Sequence, residues 1–169
     1  MSFTVRLMTI DDLAAIEIIQ SEAYAGYFLE SADVIAQRFN LSPTTTWVAE
    51  HDGNVCAYLV GYWSTIGRVN PLNAPFSSIA EPNCLYVHDL ALLRSVQGFG
   101  LGKRLIRAAA EYAAEHKVKA LALLSVQNSK DFWQNVGFAE FFDLEEKQKD
   151  NLNTYLDGNN PAFYMVRYF

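Results

Sequence analysis

From Cys84 to Leu93 the chain is apolar. It then enters Gln97-Gly98-Phe99-Gly100-Leu101-Gly102-Lys103 and continues as a helical pattern from Leu101 to His116. This order restricts the fold more than any other feature. Three glycines at alternate positions are entropically unfavourable unless the backbone needs positive φ or a close approach. A second apolar run, Val118 to Val126, follows the helix and reads as a buried strand. Strand, helix and strand in that order imply a parallel pair joined by a crossover. The free N–H groups of the helix's first turn and its dipole favour an anion at the glycine turn. The first expectation is therefore a phosphate-bearing ligand at residues 97–103.

Two familiar glycine turns do not fit. A dinucleotide fold needs Gly-x-Gly-x-x-Gly after its first strand and an acidic residue about 20 positions later. Gly98, Gly100 and Gly102 are spaced differently and lie mid-chain. A triphosphate loop needs Gly-Lys-Ser/Thr, and here Arg104 follows Gly102-Lys103. The net charge of −6 argues against nucleic acid, whose phosphates require a basic face. It suits a cationic or neutral substrate. No apolar run approaches the roughly 20 residues of a membrane span, and the first residues lack a signal-peptide layout. A cytoplasmic protein is the expectation. Cys56 and Cys84 lie in apolar runs, and neither they nor the scattered His51, His88 and His116 have metal-ligand spacing.

Along the chain, Phe3 to Met8 alternates as a strand, with Phe3, Val5 and Leu7 expected on one face. Thr9 caps a helix carrying Asp11 and Asp12 in its first turn and Leu13, Ile16 and Ile19 as its buried stripe. Ser31 or Asp33 opens a second helix, which Ser42-Pro43 ends. Thr45–Glu50 and Val55–Thr65 form a hairpin around Asp52-Gly53. Residues 67–83, with three prolines, read as a lid, an acceptor-site wall or a plain surface excursion. Asn128 to Val136 is a short helix stopped by Gly137. Phe138–Phe142 and Ala162–Phe169 are closing strands, and Glu145–Asn160 reads as a charged connector. The fold expected is one α/β domain over 1–169: a mixed, mostly antiparallel sheet of about seven strands, flanked by about four helices on both faces.

The segment Leu90-Ala91-Leu92-Leu93-Arg94-Ser95-Val96-Gln97-Gly98-Phe99-Gly100-Leu101-Gly102 resembles the acetyl-CoA motif of the GNAT superfamily of N-acetyltransferases. That motif is Arg/Gln-x-x-Gly-x-Gly/Ala, matched by Gln97, Gly100 and Gly102. Asn128 and Phe132-Trp133-Gln134-Asn135-Val136-Gly137-Phe138 resemble the family's later Asn…Phe-Tyr-x-x-x-Gly-Phe segment. The resemblance covers nearly the whole chain in element order. It implies a central parallel pair that splays apart to admit acetyl-CoA. The backbone of Leu90, Ala91 and Leu92 would pair with the pantetheine arm. The N–H groups of Gln97, Gly98, Phe99, Gly100, Leu101, Gly102 and Lys103 would cradle the pyrophosphate. Asn128 and Trp133 would border the arm.

The resemblance also implies acetyl transfer to a primary amine, on a small molecule or a peptide, by direct attack in a ternary complex. A non-catalytic acyl-CoA sensor of the same fold is the alternative. Strand alternation puts Tyr86, His88 and Leu90 on one face, with Val87, Asp89 and Ala91 on the other. His88, with a reference pKa of about 6.5, is the candidate base, although a packed histidine explains the position as well. The tyrosine that in this family often protonates the departing thiolate falls at Trp133, and an indole N–H is no acid. Tyr86, Ser129 or unassisted departure remain open. Tyr24, Tyr27, Phe28 and Tyr62 are candidate acceptor-wall residues, with Trp63 beside them and Glu22 and Glu30 as groups to attract the amine. Phe163, Tyr164, Tyr168 and Phe169, read as an edge, leave a homodimer open.

Overall fold

The computed structural model describes all residues except Met1, Ala25 and Ser78, and describes Tyr27 by its backbone alone. Among these residues are seven strands: β1 (Thr4–Leu7), β2 (Thr46–His51), β3 (Asn54–Ser64), β4 (Cys84–Leu92), β5 (Ala120–Ser125), β6 (Ala139–Glu140) and β7 (Phe163–Tyr168). Five α-helices accompany them: α1 (Leu13–Ala23), α2 (Ala32–Leu41), α3 (Leu101–Glu115), α4 (Lys130–Asn135) and α5 (Glu146–Asn153). The sheet order is β1-β2-β3-β4-β5-β7-β6. The pairs β1/β2, β2/β3, β5/β7 and β6/β7 are antiparallel, and β4/β5 is parallel. This is the mixed, mostly antiparallel sheet expected.

The chain packs as two compact units, residues 1–62 with 88–111 and residues 63–87 with 112–169. In the first, Ile16 and Ile19 of α1, Val48, Leu59, and Leu101, Leu105 and Ile106 of α3 are buried. The buried α3 positions recur at helical spacing, as an amphipathic helix on a sheet requires. The β2–β3 turn has Asp52 at φ 50° and Gly53 at φ 76°, the doubly left-handed turn that matches strand twist. At β1, Leu7 is 44 % exposed while Phe3 and Met8 are buried, so Leu7 does not share the buried face expected for it. Its strand is an edge, where alternation is weakly enforced.

In the second unit, Cys84–Val87 pair in parallel register with Ala120–Leu123. Here β7 lies between β5 and β6. The middle of the Phe163–Phe169 segment is therefore not an edge, since β6 pairs with Met165 and Val166, while Tyr168 and Phe169 lie beyond β6. The segment 145–160 also differs from expectation, since it contains α5. That helix has almost no apolar face, and side-chain hydrogen bonds hold it to the chain at 69–72. Gln148 Oε1 accepts from the Val69 N–H at 2.7 Å, and Asn151 donates to the Val69 carbonyl at 2.8 Å. Thr154 Oγ1 accepts from Leu72, and Tyr155 donates to the Asn70 carbonyl at 2.8 Å. Periodicity cannot reveal such a helix, because polar pairing rather than apolar burial fixes it. The same bonds fasten residues 69–72, so this part of the 67–83 segment does not hang as a free lid.

One ionic cap secures the start of the chain. Asp12 accepts from Arg6 Nη1 at 2.8 Å and Nη2 at 2.9 Å, and from the Thr9 N–H at 2.8 Å. The Arg6 hydrogen bonds hold the Asp12 carboxyl below its ordinary pKa. A depressed carboxyl stabilises the fold fully above its unfolded pKa of about 3.9 and loses that contribution as pH falls through the folded value. Asp12→Ala is expected to lower unfolding stability by about 1–3 kcal/mol in urea titrations at pH 7. The deficit should shrink below pH 4.

Candidate active site

The glycine turn lies wholly in the first unit. After β4 a 3-10 turn, Arg94–Val96, leads to Gly98 at φ 85° and Gly100 at φ 76°. A Cβ at either glycine would meet nothing within 4 Å. Backbone sign alone, not crowding, selects glycine there. The N–H of Arg104 donates to the Gly100 carbonyl at 3.2 Å, the first bond of the α3 ladder. Helix geometry then leaves the N–H groups of Leu101, Gly102 and Lys103 without an intrahelical acceptor. Gln97 departs from expectation: its N–H donates to the Arg94 carbonyl at 3.2 Å, so it is not open to an anion. Phe99 is half exposed, its ring 5.8 Å from that of Phe3.

Preceding the turn, Ala91 is buried, and Leu90 and Leu92 are partly exposed. The Leu90 carbonyl lies 3.1 Å from the Tyr24 hydroxyl. Tyr24 is the extended residue that caps the end of α1. Its hydroxyl donates to Asp89 Oδ1, and Tyr58 donates to Asp89 Oδ2 at 2.5 Å. Burial first, and the Asp89 charge second, raise both phenols well above their ordinary pKa. They remain protonated donors at any working pH.

His88 sits in a second buried group. Arg38 of α2 donates to Glu30 Oε2, and its Nη1 lies 2.6 Å from His88 Nε2. A guanidinium only donates, so Nε2 is the acceptor and the ring proton lies on Nδ1. Burial, then the Arg38 charge, lowers the His88 pKa to about 3. The 2.9 Å approach of Glu30 Oε1 to Nε2 is thus no ion pair; Arg38 bridges the two acceptors. Gln20 fixes Glu30 by accepting from its N–H at 3.0 Å and donating to its carbonyl at 2.8 Å. A neutral imidazole so hard to protonate is a poor acceptor for an ammonium proton, which weighs against the base role expected for His88.

The alternation expected along β4 also fails locally. His88 and Asp89, neighbours in sequence, both line one small cavity with Glu30, Arg38, Thr46 and Tyr58. Sequence reading passed over Asp89, Tyr58, Gln20 and Arg38 as functional groups. The available signal was polar side chains on apolar stripes: Gln20 follows Ile16 and Ile19, and Arg38 follows Ile35, at helical spacing. All of these polar residues but Asp89 are buried.

Of the acceptor-wall candidates, Tyr24 is engaged with Asp89, and Phe28 is partly exposed in a 3-10 turn. The Tyr27 side chain lies outside the described residues. Tyr62 is buried, its ring 6.3 Å from that of His88. Trp63 instead packs on Tyr112 and His116 at 5.9 and 5.2 Å. Strand alternation sends Tyr62 and Trp63 to opposite faces, so they do not wall one site together. Glu22 accepts from the Arg94 N–H at 2.5 Å, and Glu30 is neutralised by Arg38. Glu30 is therefore no free lure for an amine, whereas the backbone bond to Glu22 leaves its charge intact.

In the second unit, Tyr86 is buried with its ring 6.3 Å from that of Tyr164. Trp133 is buried edge-on to Phe138, and its indole N–H donates to Ser129 Oγ at 3.1 Å. Ser129 in turn donates to the Val126 carbonyl at 2.6 Å, which commits its proton. Asn128 is exposed at φ 58°, and its side chain donates to Asn160 at 3.1 Å.

The model of the acetyltransferase (GNAT) family matches residues 13–138. No curated protein sequence matches the chain. Solved structures do, through their fold. A chain of the NatC complex bound to Gag peptide and CoA is 15 % identical, with 100 % of this chain and 99 % of that chain covered, at TM-score 0.74. The ribosomal-protein-S18-alanine N-acetyltransferase from Escherichia coli is 15 % identical, with coverage of 99 % and 94 %, at 0.69. The GphF GNAT-like decarboxylase in complex with isobutyryl-CoA is 12 % identical, with coverage of 98 % of both chains, at 0.75.

A proton count on His88 checks this geometry. A folded pKa of about 3 lies below the unfolded value of about 6.5, so the contribution is complete above pH 6.5 and falls as pH drops toward 3. NMR of the His88 ring should show no titration between pH 5 and 8. A midpoint near 6.5 would contradict the neutral, Arg38-bound imidazole.

Proposed function

This chain is a member of the acetyltransferase (GNAT) family, and on that premise we propose that it transfers an acetyl group from acetyl-CoA to a primary amine of a small molecule or peptide, by direct attack with both substrates bound. The observation that carries the reading is the turn at 98–103. Two left-handed glycines deliver the chain into α3, whose first N–H groups lack helical acceptors and suit a pyrophosphate. Leu90 to Leu92 then offer strand backbone for the amide-rich pantetheine arm. The thioester supplies an activated acyl carbon. The protein's tasks are to orient it, to accept the amine, and to manage one proton.

The fold alone does not decide the reaction, and a similar structure belongs to a decarboxylase. A specific observation favours a second reading, an acyl-CoA sensor without turnover. Trp133 occupies the family's usual tyrosine position, and neither its N–H nor the Ser129 hydroxyl is free to protonate a thiolate. Thiol release from acetyl-CoA, followed against a panel of small amines and peptide N-termini, separates the two. Turnover is expected with at least one amine. CoA binding without thiol release from any of them leaves the sensor.

The turn itself has a direct test. An L-residue at φ 76° is strained by about 1–2 kcal/mol, so the turn in Gly100→Ala relaxes away from its present shape. Calorimetry should find CoA bound about tenfold more weakly, whereas Gly53→Ala, in a remote turn of like φ, should leave CoA affinity unchanged.

A further inference from the structure

Of the proton carriers that the sequence nominates, Trp133, Ser129 and His88 are committed elsewhere, and Tyr86 is buried. Trp133 and Ser129 are bonded to each other and to the Val126 carbonyl. His88 accepts from Arg38, and Tyr86 is buried against Tyr164. Yet the end of β4 holds a different set. Asp89 receives a phenol proton on each oxygen, from Tyr24 on Oδ1 and Tyr58 on Oδ2. Tyr24 is the more exposed of the two residues, since Tyr58 is 1 % exposed, while both hydroxyls are buried. Its oxygen lies 3.1 Å from the carbonyl of Leu90, the first residue of the backbone offered to the pantetheine arm.

We propose that Tyr24 is the proton relay of this chain, with Asp89 as its proton reservoir and Tyr58 as the residue that positions Asp89. The proposal rests on the acyl-transfer reading above. When the amine nitrogen forms its C–N bond and the C–S bond breaks, nitrogen must lose one proton and sulfur must gain one. The Tyr24 oxygen takes the proton from nitrogen while its own passes to Asp89 Oδ1. The reverse shift returns the Asp89 proton to Tyr24 as Tyr24 gives one to sulfur. Amide and thiol result, and both side chains end as they began.

Three features suit the set to this task. A phenol keeps lone pairs free to accept while it donates, which an indole N–H cannot do. The Tyr58 bond holds the carboxylate in a single orientation, so Tyr24 needs no reorganisation as the proton moves. The cavity beside Asp89, of about 20 Å³, is lined by the charged or polar Glu30, Arg38, Thr46, Tyr58 and His88. It has room for about one water beside Asp89.

Two measurements on Tyr24→Phe, which keeps the ring and removes the proton, test the proposal. In turnover, kcat should fall about 100-fold or more, within the usual range for lost acid–base catalysis, with KM for acetyl-CoA little changed. In binding, the affinity of CoA relative to desulfo-CoA should fall as pH rises through the thiol's pKa on the native protein, because the CoA S–H donates to the Tyr24 oxygen while Tyr24 gives its one proton to Asp89. That fall should vanish in Tyr24→Phe. A merely structural anchor between α1 and β4 would move melting temperature without touching the CoA to desulfo-CoA ratio. Asp89→Asn, which cannot take up a proton, should lose turnover as Tyr24→Phe does and serves if the latter fails to fold. Tyr58→Phe should lower kcat by about tenfold and keep the pH-dependent ratio. A Tyr24→Phe protein within about fivefold of native kcat, or one with the native ratio, overturns the relay. If the native protein releases no thiol from acetyl-CoA with any amine, the acyl-transfer reading fails by itself, and the desulfo-CoA comparison still decides whether Tyr24 bonds to the sulfur.

Discussion

The parallel pairing of β4 with β5 is the constraint on which the rest depends. Two parallel strands need a long connection, and here α3 supplies it. The crossover obliges the chain to leave the carboxyl end of β4 and start a helix there. That junction collects strand ends, a turn and the open N–H groups of a helix start. The two positive-φ glycines let the reversal occur without strain. This glycine-and-helix-start junction is thus a by-product of the crossover, and the family assignment gives that geometry a chemical context.

The polar interior of the first unit is the second organising feature. Ionisable groups seldom sit inside a core without partners. Here Arg38 serves both Glu30 and His88, while Asp89 serves both Tyr24 and Tyr58. Gln20 ties α1 to Glu30 through two backbone bonds, and Tyr24 ties the end of α1 to β4. Helices and strand are therefore registered against each other by bonds with direction, which apolar packing alone does not provide. The same directionality preorganises the end of β4.

Much of the fold was legible in order and type. The β2–β3 hairpin, the α3 stripe, the glycine turn and the Ser31 cap carry local signatures, and each lies within a residue or two of its expected place. The failures have particular causes. The α5 helix lacks an apolar stripe because hydrogen bonds to 69–72 replace burial. Reading Phe163–Phe169 as an edge failed at its middle because β6, two residues long, pairs there with Met165 and Val166. His88 matched the residue type of a base, but its pKa depends on Arg38, which comes from another helix.

By itself, the sequence determined the succession of elements, the signs of φ at the turns and the motif that places the chain in its family. These depend on residues close together along the chain, where periodicity, capping and glycine content act directly. Only the tertiary structure decided which side chains meet. Tyr24 and Asp89 are 65 positions apart, and Arg38 and His88 are 50 apart. Whether a tyrosine, a histidine or an aspartate can move a proton is set by burial and by the charges beside it. Those are properties of packing between distant segments, and no local pattern encodes them.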